Sequence, residues 1–217
     1  MKKIFGALAG FASGVMVVVA FLGLVREAWR TSGFLVTSIS FLIGAIIGFT
    51  IDFLLPHLQF SGKDEGLIDS KLFRCGCLLA IGITLHSIPE GLSMGAGYLH
   101  HPEFGLVIAI AVALHNIPEG ITTALPIYES GASKKMAFKF ALLSGIVESI
   151  GAIGAALFLT RFNFLPGFLA FAGGVMFFIT LDELVPIAHE HGHSHATSLG
   201  IILGAVLMMI LLGAFNI

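Results

Sequence analysis

Charge is what this chain has least of. Aspartate, glutamate, lysine and arginine make up 11% of its 217 residues, where a soluble domain carries about 25%. Set against 57% hydrophobic residues, that shortage excludes a soluble globular domain. It leaves a polytopic membrane protein whose interior is the packing of helices within lipid. Cysteine is nearly absent: Cys75 and Cys77 are too few for a disulfide framework, and small residues packed at a helix end explain the pair better than a metal does. No run of lysine and arginine is long enough for a nucleic-acid surface, and a net charge of −2 points to no polyanionic partner.

What is there is apolar length. Windows of about 20 residues, enough to cross a bilayer, fall at 5–25, 33–55, 72–99, 103–128, 136–159, 164–188 and 197–215. The predicted fold is an all-α membrane protein of seven transmembrane helices with short loops, forming one transmembrane domain over 1–217. The polar stretch from Gln59 to Ser70 is read as the longest loop. Met1-Lys2-Lys3 followed by apolar residues imitates a signal peptide, but the segment recurs later in the chain and is read as a span. A cytoplasmic N-terminus puts Lys2, Lys3, Lys63, Lys71, Arg74, Lys134, Lys135 and Lys139 inside and Arg26, Arg30 and Arg161 outside. That asymmetry favours the N-terminus inside and the C-terminus outside.

Two internal repeats follow. Phe11-Ala-Ser-Gly-Val-Met16 recurs as Phe171-Ala-Gly-Gly-Val-Met176, and Leu85-His-Ser-Ile-Pro-Glu-Gly91 recurs as Leu114-His-Asn-Ile-Pro-Glu-Gly120. Each pair falls on segments that cross in opposite directions, as in transporters built from inverted repeats with a substrate site near the midplane. Gly44-x-x-x-Gly48 and Gly151-x-x-Gly154 suit close helix contact.

The second repeat carries the chemistry. His86 and Glu90, like His115 and Glu119, are four residues apart and share one face of a helix. With Glu148 they lie mid-depth in their segments. A charged carboxylate there costs about 2.5–3.5 kcal/mol, and no lysine or arginine lies at that depth. A divalent cation, with protonation of one carboxylate, is the simplest compensation. A lone membrane histidine is explained by an interhelical hydrogen bond; two His-x-x-x-Glu pairs and a third glutamate are not. Imidazole with carboxylate suits Zn2+, and ligand type alone leaves Fe2+, Mn2+, Co2+ and Cd2+ open. Met16 offers a thioether or simply fills a gap. Pro89 and Pro118 each free a backbone carbonyl within the motif. Asp182 and Glu183 precede Pro186, and His189, His191, His193 and His195 alternate in what reads as a metal-binding loop.

These residues resemble the ZIP family of divalent-metal transporters, specifically its bacterial GufA-like type. The resemblance runs from Leu8 to the C-terminus and rests on His86-x-x-Pro-Glu-Gly91, His115-Asn-Ile-Pro-Glu-Gly120, Ser144-Gly-Ile-Val-Glu148 and Leu181-Asp-Glu-Leu-Val-Pro186. It implies that His86, Glu90, His115, Asn116, Glu119 and Glu148 line a transport site, with Met16 at its outer side and Asp182 and Glu183 along the inner exit. The implied substrate is Zn2+ or a similar cation moved inward across a bacterial inner membrane by an elevator-like slide of one helix bundle. The family pattern has eight spans, so the expected bundle lacks the usual first one, and Ser87 stands where the family typically has asparagine. The alternative is a seven-span membrane-embedded zinc hydrolase, which needs a fixed zinc with an open water position and fits a glutamate-rich site poorly. The expected partners are metal ions, the bilayer and a second copy in a homodimer, with no nucleic acid.

Overall fold

Each apolar window falls on a helix. The computed structural model describes residues 2–54, 70–159, 164–191 and 193–216, all in helices and short turns. The helices are α1 (Lys2–Val18), α2 (Arg26–Leu54), α3 (Ser70–His100), α4 (Pro102–Glu129), α5 (Lys134–Leu159), α6 (Leu165–Ile179), α7 (Val185–His191) and α8 (Ser194–Ala214). Five described stretches are long and apolar enough to cross a membrane, the first running over Gly6–Thr50. Large apolar side chains such as Leu35, Ile46, Ile150, Ile153, Leu157 and Leu203 point outward. So much exposed apolar surface marks a lipid-facing protein: the chain is an integral membrane protein.

Two expectations change. Residues 26–32 were expected as a loop, yet they are helical. Thr31 and Ser32 hydroxyls donate back to the carbonyls of Glu27 and Ala28, which satisfies the polar residues within the helix. The break comes at Gly33, whose φ of 79° is open to glycine and strained for other residues. The histidine tract is likewise no simple loop: His189 and His191 belong to α7, and His195 lies in the first turn of α8. The predicted loop between Gln59 and Ser70 falls almost wholly outside the described residues.

The first repeat is visible in the packing. α1 pairs with α8, and α6 pairs with α2. A Cβ on Gly14 would meet the carbonyl of Ile201, and one on Gly174 the carbonyl of Phe41. Gly204 lies against Phe11 as Gly44 lies against Phe171. The register of the two contacts is the same, so α1–α2 and α6–α8 are structural copies that exchange partners. Each copy also carries a π-helical turn after its first helix, at Val19–Val25 and Thr180–Leu184. Such turns widen a helix and occur often at functional sites.

α3, α4 and α5 pack on one another, and α4 and α3 lean on α1 and α6. Gly91 and Gly95 bring α3 against the backbone of Glu148 and Ala152 on α5. Gly151 lies against α3, whereas Gly154 meets nothing within 4 Å. Only half of that glycine pair is a helix contact.

Candidate metal centre

Both motif helices continue through their prolines: α3 stays helical past Pro89 and α4 past Pro118. The four-residue spacing therefore keeps His115 above Glu119 on one face of α4. Glu90 faces them from α3. One ligand atom from each of Glu90, His115 and Glu119 lies within 4.8 Å of the others, and all three side chains are buried.

His115 is held at both ring nitrogens. Nδ1 lies 3.0 Å from the Ala111 carbonyl. A carbonyl only accepts, so Nδ1 carries a proton. Nε2 lies 2.8 Å from Glu90 Oε1. One more proton is shared along that second contact, because two lone pairs facing each other would repel. Metal-bound histidines commonly donate their other ring N–H to a backbone carbonyl, which fixes the tautomer. His115 has that second contact in place and turns Nε2 toward two carboxylates. A cation placed among the three groups would take the position of the shared proton.

A second bond ties in α5. Asn116 Nδ2 donates to Glu148 Oε2 at 2.5 Å, and Glu148 is buried. Gly91 makes this approach possible, since any side chain there would push α5 away through the Glu148 backbone. Asn116 Oδ1 is buried and has no hydrogen-bond partner among the described residues. A carbonyl-type oxygen without a donor beside an anionic cluster is suited to a cation. The donor set of imidazole, carboxylates and amide oxygen fits zinc as substrate.

The other sequence-predicted residues are placed differently. The His86 side chain is outside the described residues, as are those of Glu183 and His191. Met16 is fully buried in the apolar core, where its Sδ accepts from Thr180 Oγ1 at 3.7 Å. Asp182 is exposed on the second π-helical turn. His189 Nδ1 bonds the Val185 carbonyl within α7, while His193 and His195 are exposed with ring centres 5.8 Å apart. Ser87, in the position matching Asn116, donates to the Ile83 carbonyl of its own helix at 2.8 Å.

Sequence reasoning missed Thr123. It lies one turn beyond Glu119, is fully buried, and its Oγ1 has no hydrogen-bond partner among the described residues. His115, Glu119 and Thr123 form a polar stripe at intervals of four, and that period was available in the sequence. A threonine is unremarked in an apolar segment because it usually bonds its own helix backbone.

The chain matches the family model described as ZIP zinc transporter over residues 61–212. It is 37% identical to the zinc transporter ZupT of Akkermansia muciniphila, over 94% of this chain and 83% of that protein. It is 39% identical to the zinc transporter ZTP29 of Arabidopsis thaliana, over 87% of this chain and 75% of that protein. The ZupT of Streptococcus mutans is 35% identical over 99% of this chain and 87% of its own length. These likenesses run through the same helices that bear the two His–Glu motifs, and the chain belongs to the ZIP zinc transporter family.

Proposed function

We propose that this chain carries Zn2+ across a bacterial inner membrane into the cytoplasm through a midplane site centred on Glu90, His115 and Glu119. As a ZIP-family member it is a transporter and not an enzyme, which removes the membrane-embedded hydrolase. The observation that carries the reading is the three-residue group of buried imidazole and carboxylates on two helices of an integral membrane protein. Without a counter-charge those carboxylates would each cost about 2.5–3.5 kcal/mol at mid-depth; a passing divalent cation supplies it. Asn116 and Glu148 extend the ligand set toward α5, and His86 joins from the motif on α3. Met16, packed in the core beside Thr180, bounds the site on its outer side in this reading. Asp182, Glu183 and the histidines at 189, 191, 193 and 195 serve the inner exit.

The proposal includes the whole of 1–217 as one transport domain. Its orientation, N-terminus inside and C-terminus outside, is supported by the lysine and arginine count. Fe2+, Mn2+, Co2+ and Cd2+ are accepted to the extent that the same donors bind them. The test is zinc uptake by proteoliposomes of the purified protein, read by an enclosed zinc dye. Uptake well above protein-free vesicles is expected, with Glu119→Ala at background for equal protein. Uptake by Glu119→Ala at the unmutated rate would overturn the site.

A further inference from the structure

The polar stripe of α4 runs past the midplane group. Asn116, Glu119 and Thr123 stand at i, i+3 and i+7, so they share one face of the helix over two turns. Each carries a side-chain oxygen. Asn116 Oδ1 and Thr123 Oγ1 are buried and have no hydrogen-bond partner among the described residues. Four residues of helix, about 6 Å of rise, carry Thr123 beyond Glu119 and away from the turn that joins α4 to α3. In the orientation proposed above, that is toward the cytoplasm.

The Thr123 hydroxyl behaves unlike its neighbours. Ser13, Thr37, Ser87, Ser93 and Thr180 are buried too, and each donates to a backbone carbonyl three or four residues earlier. That back-bond is the ordinary fate of a hydroxyl in an apolar helix. Among the described residues, Thr123 Oγ1 is the one buried hydroxyl without a partner. Leaving a buried hydroxyl so costs free energy. Packing does not require it either: the matching residue of the α3 repeat is Met94, which packs against the apolar core.

Beyond Thr123 the face turns apolar. Ile127 is buried with Ala132 and Ala137, and Phe73 and Phe140 pack against them, edge to face at 6.4 Å between ring centres. The Ser130 hydroxyl is committed to the Ile127 carbonyl. Among the described residues, Thr123 therefore holds the last uncommitted oxygen on this face before an apolar cluster built from α3, α4, α5 and the turn between the last two.

We propose that Thr123 is a transient ligand of the transported cation on the inward side of the midplane site, sharing the ion with Glu119. The inference rests on the transport site read above. Side chains four apart on a helix have Cβ atoms about 5–6 Å apart, a span that one cation with bonds of about 2.0–2.2 Å closes. Thr123 Oγ1 gives a lone pair and keeps its proton, so the step needs no base. A neutral hydroxyl holds zinc less firmly than imidazole or carboxylate. A pathway needs such a position, because the ion must be bound well enough to enter and loosely enough to leave.

Uptake and unfolding are read on Thr123→Val and Thr123→Ser in the full-length protein. Valine keeps the shape of threonine without the hydroxyl. We expect Thr123→Val to lower the maximal rate of zinc uptake several-fold with KM little changed. It unfolds at the same temperature or higher, since a buried hydroxyl without a partner is removed. Thr123→Ser recovers most of the rate. Uptake by Thr123→Val at the unmutated rate, or a lost rate accompanied by a lower unfolding temperature, overturns the proposal. A second readout needs no transport. In a protein carrying Cys75→Ser and Cys77→Ser, Thr123→Cys places a thiol at this position, and Cd2+ is the probe. A cadmium–thiolate charge-transfer band is expected, with affinity several-fold weaker once Glu119→Ala is added. No band, or a band that Glu119→Ala leaves unchanged, overturns the shared ligand position. A protein that carries no zinc yet shows the Glu119-dependent band would overturn the transport reading and keep the ligand position; zinc uptake undiminished by valine would do the reverse.

Discussion

His115 Nε2 lies 2.8 Å from Glu90 Oε1, and neither side chain is exposed. Both the fold and the metal site draw on this contact. Removing one partner of a buried ion pair costs about 3–5 kcal/mol, so His115→Ala lowers thermal stability as well as uptake. Adding Glu90→Gln removes the carboxylate's charge and recovers much of the stability, while uptake stays at background. Thermal unfolding in detergent and proteoliposome uptake are read side by side. If His115→Ala unfolds at the unmutated temperature, the contact is not a structural one.

The exchanged packing of the first repeat gives a second prediction. Gly14 faces Ile201 as Gly174 faces Phe41, backbone against backbone. Alanine at either position forces its helix pair apart, at roughly 1–3 kcal/mol for an overpacked contact. The two variants therefore destabilise by similar amounts. Gly154 has open space around it, and Gly154→Ala is neutral or stabilising by up to about 1 kcal/mol. Unfolding temperatures of the three variants check this. A large loss for Gly154→Ala, or none for Gly14→Ala, would contradict the described contacts.

Much of this was legible because a membrane makes polarity conspicuous. His115, Glu119 and Glu90 stood out as ionisable residues inside apolar windows, and the structure groups those three. Side-chain bonds were less legible. Nothing in the spacing says that Asn116 reaches Glu148 on another helix while Ser87 turns back to its own backbone. The helical course of Arg26–Ser32 was hidden because charge and small polar residues read as a loop, yet those side chains bond back to the helix. The pairing of Leu42-Ile-Gly-Ala45 with Ile202-Leu-Gly-Ala205 is a repeat in the sequence. Nothing in the sequence sets it apart, because glycine and alanine recur throughout membrane helices.

The inner histidines give a third prediction. His189 bonds its own helix and is exposed, and so are His193 and His195. In the proposed orientation, side chains placed this way would hold metal near the exit without gating the midplane. Changing His189, His191, His193 and His195 to serine lowers the metal retained by the purified protein but leaves maximal uptake within a few-fold. Metal analysis after dialysis and initial uptake rates check both halves. Complete loss of uptake would put the tract inside the pathway.

The last prediction concerns how many ions the midplane holds. The two copies of the motif differ at one position, Ser87 against Asn116. Asn116 spans to Glu148 and keeps a buried carbonyl oxygen without a donor. Ser87 is buried, but its hydroxyl is committed to the Ile83 carbonyl. Only the α4 copy therefore presents a polar arm beyond its histidine, and the midplane is expected to hold one tight ion, with a second only at much higher metal. Ser87→Asn supplies the missing arm. The larger side chain adds packing strain of roughly 1–3 kcal/mol, so Ser87→Ala serves as the control for losing the hydroxyl alone. Zinc titration needs the background of the histidine tract removed, with serine at His189, His191, His193 and His195. In that protein Ser87→Asn tightens the second ion while Ser87→Ala leaves both ions as they were. Two equally tight ions with Ser87 in place would show that the α3 copy binds without the arm, and the asymmetry between the repeats would then have no bearing on stoichiometry.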